Sequence, residues 1–302
     1  MMNKVIVVVG PTAVGKTKIS IELAKHYGLD IISGDSVAIH KRLDIGSAKP
    51  TQEEMDGVKH YLIDEIEAAD DYSVADFQRE ARAIMDKNEL SLICGGTGLY
   101  IQSAIYNYEF NASKRDLDYG KKFEGYSNQE LYDLLLSKDS NIDREKLHPN
   151  NRKRVLRALE VLEELDTSIH SFNNKREKLY DHFIVYLKLP RERLYERINQ
   201  RVDEMIKDGL VAEVKSLYDD GIFPHAIGYQ ELVPYFEGLI SLDMAIDEIK
   251  KNTRHLAKRQ ETWFKNQMDS NFYDVRLDDI NSTINEIIAD IDRRLDRRKY
   301  IS

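Results

Sequence analysis

The chain has 302 residues, 42% of them hydrophobic and 32% charged, enough apolar content for about two ordinary domains and too much for global disorder. No run approaches the ~20 apolar residues that span a bilayer, and the single cysteine, Cys94, excludes an internal disulfide and a multi-cysteine zinc site. With 44 basic against 53 acidic residues the net charge is −9, which argues against a uniformly basic nucleic-acid coat but permits a local basic patch. One cysteine fits a reducing compartment, so the chain is expected in the cytoplasm, with no membrane partner.

Val5 to Val9 follows Lys4 and stops at Gly10. It is too short for the apolar region of a secretory signal and reads as a buried strand. Gly10, Pro11, Thr12, Ala13, Val14, Gly15, Lys16 and Thr17 then match the phosphate-binding pattern of Gly, four residues, Gly-Lys and Ser or Thr. Gly10 and Gly15 allow the backbone to wrap phosphate oxygens, and the first helical turn points its N–H groups at them. Lys16 supplies a cation, and the Thr17 hydroxyl is placed to ligate Mg²⁺, the expected metal. An amphipathic helix follows from Lys18 to Tyr27. These features predict binding of a di- or triphosphate ester, whatever its fate.

A second strand, Asp30 to Ser33, runs into Gly34-Asp35-Ser36, and the carboxyl end of a strand beside a phosphate loop is where ligands sit. His60 to Asp64 reads as a third strand. Ser73 caps a helix reaching toward Asn88, with Asp76 at its third position. Leu90 to Cys94 is a fourth strand, ending in Gly95-Gly-Thr-Gly-Leu-Tyr100. Hydrolytic phosphate-loop enzymes usually carry an acidic metal ligand at such a strand end; glycines here favour close backbone approach. No Asn-Lys-x-Asp guanine signature occurs.

Residues 113–180 read as a charged, helical insertion, and a strand resumes at Phe183 to Leu189. Helical periodicity returns over Arg191–Tyr218, Asp243–Lys265 and Ile280–Tyr300. The expected fold is therefore α/β: a P-loop NTPase-like core of residues 1–112 and 181–302, with a central parallel β-sheet flanked by helices, plus the helical insertion 113–180. Two windows are locally basic. Arg144–Arg157 holds six basic residues against Glu145, and Lys250–Lys265 holds six against Glu261. Both suit a phosphate-backbone clamp.

The motifs Gly10 to Thr17, Gly34-Asp-Ser36, Leu43-Asp-Ile-Gly-Ser-Ala-Lys-Pro50, His60 to Asp64 and Tyr72 to Phe77 occur in that order. Gly95 to Tyr100, His148-Pro-Asn150 with Arg154 to Glu160, Ala226-Ile-Gly-Tyr229, and Thr253-Arg254 with Ala257 to Phe264 follow. Together they resemble the bacterial tRNA dimethylallyltransferases, or isopentenyltransferases, over roughly Val5 to Phe264. The chain departs from that family at Ala38 and His40, where glutamine and tyrosine are usual, and at Lys59, where proline is common. Ala38 lacks an amide that could read a base.

The resemblance implies transfer of a dimethylallyl group from its diphosphate to N6 of adenosine 37 of tRNA, with Mg²⁺ and the anticodon stem-loop as partners and one RNA per monomer as the simplest stoichiometry. It makes Asp35 the general base, with Thr17 and Arg201 serving the leaving diphosphate. Asp35, Ser36, Val37, Ala38 and Thr97 fall where the family contacts the target nucleotide. Lys153, Arg154 and Arg157 match a tRNA contact, with His225–Gln230 a weaker candidate. A small-molecule kinase would need an arginine lid over its acceptor, which Asp35 to Lys49 does not resemble. A nucleotide-gated RNA-binding switch would leave Asp35 without a task.

Overall fold

The computed structural model describes residues 2–108, 110, 116, 118–145, 147–165, 168 and 177–295. Its elements run β1 (Lys4–Val9), α1 (Lys16–Tyr27), β2 (Ile31–Ser33), α2 (Gln52–Met55), β3 (His60–Tyr61), α3 (Val74–Met85), β4 (Leu90–Gly95) and α4 (Gly98–Ile105). A short 3₁₀ turn (Tyr119–Phe123), α5 (Asn128–Lys138) and α6 (Arg152–Leu165) follow. The chain ends with β5 (Asp181–Lys188), α7 (Arg191–Lys207), α8 (Leu210–Asp219), α9 (Val233–Phe236), α10 (Leu242–Gln267), β6 (Asn271–Asp274) and α11 (Ile280–Arg294). Among the described residues no helix is long and apolar enough to cross a membrane.

Among the described residues the six strands of the sheet are parallel, in the order β3-β2-β4-β1-β5-β6. A parallel sheet is covered on both faces, which is why β1 reads as an unbroken apolar run rather than an alternation. Its alternate side chains nevertheless divide. Ile6 and Val8 pack with α1 and α11 through Ile19, Leu23, Ile287 and Ile291. Val5, Val7 and Val9 pack on the other face with α3, α4 and α10 through Phe77, Met85, Ile101 and Phe264.

The register sets the site. Val9 lies opposite Gly95, and Ser33 opposite Cys94, so β1, β2 and β4 end level with one another. The three loops that leave these ends are the phosphate loop, the Gly34–Ala38 turn and the Gly95–Gly98 loop. Two expectations about elements change. The periodicity over Arg191–Tyr218 breaks into α7 and α8 because Gly209 adopts φ 106°, a left-handed conformation that reverses the helix. Strand β6, short and largely exposed, was not anticipated. The last helix is described to Arg294, and the rest of the expected Ile280–Tyr300 stretch lies outside the described residues.

The chain forms two compact units, residues 1–106 with 178–302, and residues 107–177. The second has its own apolar centre, with Phe123, Leu131, Leu135, Val155 and Leu159 buried together. Arg152 ties it by donating to the carbonyls of Phe123 and Tyr126, each at 2.6 Å.

Candidate active site

The phosphate loop is built by sterics first. A Cβ on Gly10 would lie 2.6 Å from the Leu187 carbonyl oxygen, and the same residue has φ 152°. Ala13 at φ 64° and Gly15 at φ 107° complete the wrap into the N-terminus of α1. Pro11 and Val14 are buried, so they contribute backbone rather than side chain to any ligand. Lys16 Nζ donates to the carbonyls of Gly10 (3.0 Å) and Pro11 (2.9 Å). Burial, reinforced by the positive charge of Arg201, lowers the Lys16 pKa to about 8, against the pull of Cys94 and Asp35. The Thr17 hydroxyl has no hydrogen bond among the described residues.

The loop opens on a cleft of about 670 Å³, within the usual size of ligand sites. Thr12, Lys16, Thr17, Asp35, Ala38, Cys94 and Arg201 all line it. Arg201 projects from α7 and makes no hydrogen bond or ion pair among the described residues. Burial pushes its pKa down, offset most by Glu54. Two cations, Lys16 and Arg201, therefore share one cavity, an arrangement suited to a diphosphate. Arg197, one turn earlier on α7, braces the loop by donating to the Ala13 carbonyl at 2.8 Å.

In the same cleft, Asp35 Oδ1 accepts the N–H groups of Val37 (2.8 Å) and Ala38 (3.3 Å), closing an Asx turn. Its Oδ2 has no hydrogen bond among the described residues. Thr97 Oγ1 accepts the Ser36 N–H at 3.1 Å and donates to Ser36 Oγ at 3.3 Å. Gly34 and Gly95 touch so closely that a Cβ on Gly95 would overlap the Gly34 carbonyl. Asp35, Ser36, Val37, Ala38 and Thr97 thus come together with the phosphate loop in one unit. Ala38 is buried, its carbonyl accepting the Asp64 N–H.

Three further residues matter here that the motif reading left unassigned. Gln260 of α10 bonds both the phosphate loop and the Gly95–Gly98 loop. Lys49, with a side chain 5% exposed, donates to the His40 carbonyl (2.9 Å), to Asp44 (2.5 Å) and to Asp64, shaping the cleft wall. Glu213 of α8 accepts three successive N–H groups, from Asp44 (3.2 Å), Ile45 (2.8 Å) and Gly46 (3.1 Å), and the Tyr229 hydroxyl at 2.7 Å. Tyr229 is buried by this contact, which gives the Ala226–Tyr229 motif a structural task. Gln260 and Glu213 act across more than 160 residues of sequence; Gln260 and Lys49 at least fall inside the ordered motif blocks, whereas no sequence signal marks Glu213.

Lys153, Arg154 and Arg157 lie on α6 of the second unit. Lys153 is exposed and makes no ion pair among the described residues, and Arg154 is also exposed. Arg157 differs: it pairs with the buried Glu160 at 2.7 Å. In the second basic window Lys250 pairs with Asp203, Lys251 with Glu248 and Lys265 with Glu261. Arg254 donates to Asn199, while Lys258 and Arg259 are exposed without ion pairs among the described residues.

A model of the IPP transferase family matches residues 38–267. The tRNA dimethylallyltransferase of Anoxybacillus flavithermus is 45% identical over 299 residues, covering 95% of this chain and 96% of its own. That of Bacillus subtilis is 45% identical over 284 residues, 90% of each chain. The crystal structure of the tRNA delta(2)-isopentenylpyrophosphate transferase of Staphylococcus epidermidis matches with a TM-score of 0.72 at 39% identity, covering 97% of this chain and 99% of that one. A eukaryotic dimethylallyltransferase, seen in crystallographic snapshots acting on tRNA, matches with a TM-score of 0.80 at 25% identity, over 96% of this chain and 79% of that one.

Proposed function

The chain belongs to the IPP transferase family, and from that membership we propose that it transfers a dimethylallyl group from dimethylallyl diphosphate to N6 of adenosine 37 of tRNA, releasing diphosphate. The observation that carries this reading is one cleft lined by the phosphate loop, by an arginine without an ion pair among the described residues, and by an aspartate with an oxygen that makes no hydrogen bond among them.

The N6 nitrogen attacks C1 of the donor as the C–O bond to diphosphate breaks, and that bond's electron pair leaves with the diphosphate. Lys16, Arg201 and the loop N–H groups take up the negative charge developing there. The nitrogen becomes cationic and its proton becomes acidic, so Asp35 Oδ2 accepts it, while Oδ1 stays committed to the turn. The base reaches this cleft by leaving its stack.

Mg²⁺ belongs to the same proposal. The Thr17 hydroxyl is open, and no group of three or more His, Cys, Asp or Glu side chains suited to a metal occurs among the described residues. That donor set fits an ion held chiefly by diphosphate oxygens with Thr17, the habit of magnesium. When bound it would spread the charge of the leaving group. The anticodon stem-loop is the RNA partner in this reading, with Lys153 and Arg154 as phosphate contacts and one RNA per monomer. A single cysteine supports a cytoplasmic setting.

The test is a mass measurement. Incubated with dimethylallyl diphosphate, Mg²⁺ and an unmodified anticodon stem-loop, the protein should add one prenyl mass to the RNA, and none when adenosine 37 is replaced by guanosine. An RNA of unchanged mass, or ATP-dependent phosphorylation of an acceptor instead, overturns the reading.

A further inference from the structure

Gln260 projects from α10 between the phosphate loop and the Gly95–Gly98 loop, both of which line the cleft. Its Oε1 accepts the Thr12 N–H of the phosphate loop at 3.0 Å, and its Nε2 donates to the Gly96 carbonyl at 3.1 Å. A carboxamide has one accepting and one donating end, so only this orientation satisfies both loops. Gly96 is the residue type the contact demands, because a Cβ there would collide with Nε2; Lys16 Nζ lies 3.9 Å from the same point. One turn along α10, the Trp263 ring fills the space a side chain at Gly98 would need. The helix therefore grips the Gly95–Gly98 loop at two points and the phosphate loop at one. From Gly96 the contacts continue through Thr97 to Ser36, beside Asp35.

We propose that Gln260 is a positioning residue that sets the register between the donor diphosphate and the acceptor base. This rests on the transfer reaction proposed above. Thr12 belongs to the loop that holds the leaving group, and Thr97 to the loop that braces the general-base turn. Alkyl transfer needs the attacking nitrogen and the donor carbon at near-contact distance and in line, and a misplacement of ~1 Å costs on the order of 10²-fold in rate. Binding of either substrate alone depends on one loop and is spared.

The experiment compares wild type, Gln260→Ala and Gln260→Glu. Single-turnover rates are measured at saturating dimethylallyl diphosphate and stem-loop, beside dissociation constants for inorganic diphosphate and for the stem-loop, and Tm. Gln260→Ala should lower the rate ~10–100-fold while both dissociation constants stay within about threefold. Gln260→Glu keeps the length and the acceptor for Thr12 but turns an oxygen toward the Gly96 carbonyl, so it should also lose rate, and it decides the matter if the alanine variant does not fold. A merely structural role predicts a lower Tm with the rate per folded molecule unchanged. That result overturns the inference, as does a loss confined to diphosphate affinity with full rate at saturation. A wild type that fails to prenylate overturns instead the reaction on which the inference rests.

Discussion

One oxygen of the Asp35 carboxylate holds the Asp35–Ala38 turn through the N–H groups of Val37 and Ala38, so the choice of substitution decides what is being asked. Asparagine keeps an accepting Oδ1 and the turn with it, but has no carboxylate to take a proton. Asp35→Asn should therefore lower the single-turnover rate ~10²–10⁴-fold and leave stem-loop affinity nearly intact. A near-wild-type rate would remove Asp35 from proton transfer. Lys16 invites a different measurement, because its pKa of about 8 places its charge within reach of ordinary buffers. Between pH 7 and 9 its protonated fraction falls from about nine-tenths to about one-tenth, so donor affinity should drop about tenfold. Lys16→Arg, which stays charged, should flatten that profile; parallel profiles would exclude Lys16 as its source. Stability responds in the opposite sense. The folded pKa lies below the ordinary lysine value of 10.5, so from about 8 to 10.5 the unfolded chain binds more protons and stability rises with pH.

Helix α6 shows how a charge pattern can mislead when read without its partners. Lys153 and Arg157 are four apart on one basic stretch, yet Arg157 is 21% exposed and pairs with Glu160, which is 3% exposed and also accepts the Asp116 N–H. Arg157→Ala strands a buried carboxylate and should destabilise the second unit by about 2–3 kcal/mol, somewhat below the ~3–5 kcal/mol of a fully buried pair. Lys153→Ala should leave its Tm unchanged, weaken all stem-loops about equally, and reduce the log–log salt slope by ~0.7. Equal Tm values for the two variants would refute this division. Among the elements, what sequence made legible was local. Ser73 and Asp76 form the reciprocal cap that their spacing implies. The α7–α8 break at Asp208-Gly209 was equally local, but continuous apolar spacing on either side masked a turn signal. Strand β6 has one buried residue, Tyr273, and so too little pattern to read.

At the scale of the molecule, the phosphate loop, the Asp35 turn and the Gly95–Gly98 loop share one cleft because three neighbouring strands end level, and no single strand records that fact. The strands themselves were recognisable from apolar runs, while their order was not, since parallel partners are set by crossovers and packing rather than by adjacency in the chain. The same limit hid Gln260, whose bond to Thr12 spans 248 residues. Charge distributes unevenly too: α10 pairs three of its lysines with carboxylates and leaves Lys258 and Arg259 in solvent, which net charge alone conceals.

The central position of β1 has a consequence for biosynthesis. This strand leaves the ribosome before the other five, yet its two neighbours are Leu90–Gly95 and Asp181–Lys188. At ~5–20 residues per second, on the order of ten to thirty seconds separate the appearance of Val9 from that of Lys188. Throughout that interval one edge of Val5–Val9 has no native partner, and the loop that follows it cannot be braced by Arg197 or Gln260, which emerge later still. The nascent chain thus carries its most apolar segment as an incomplete strand until Lys188 has been made.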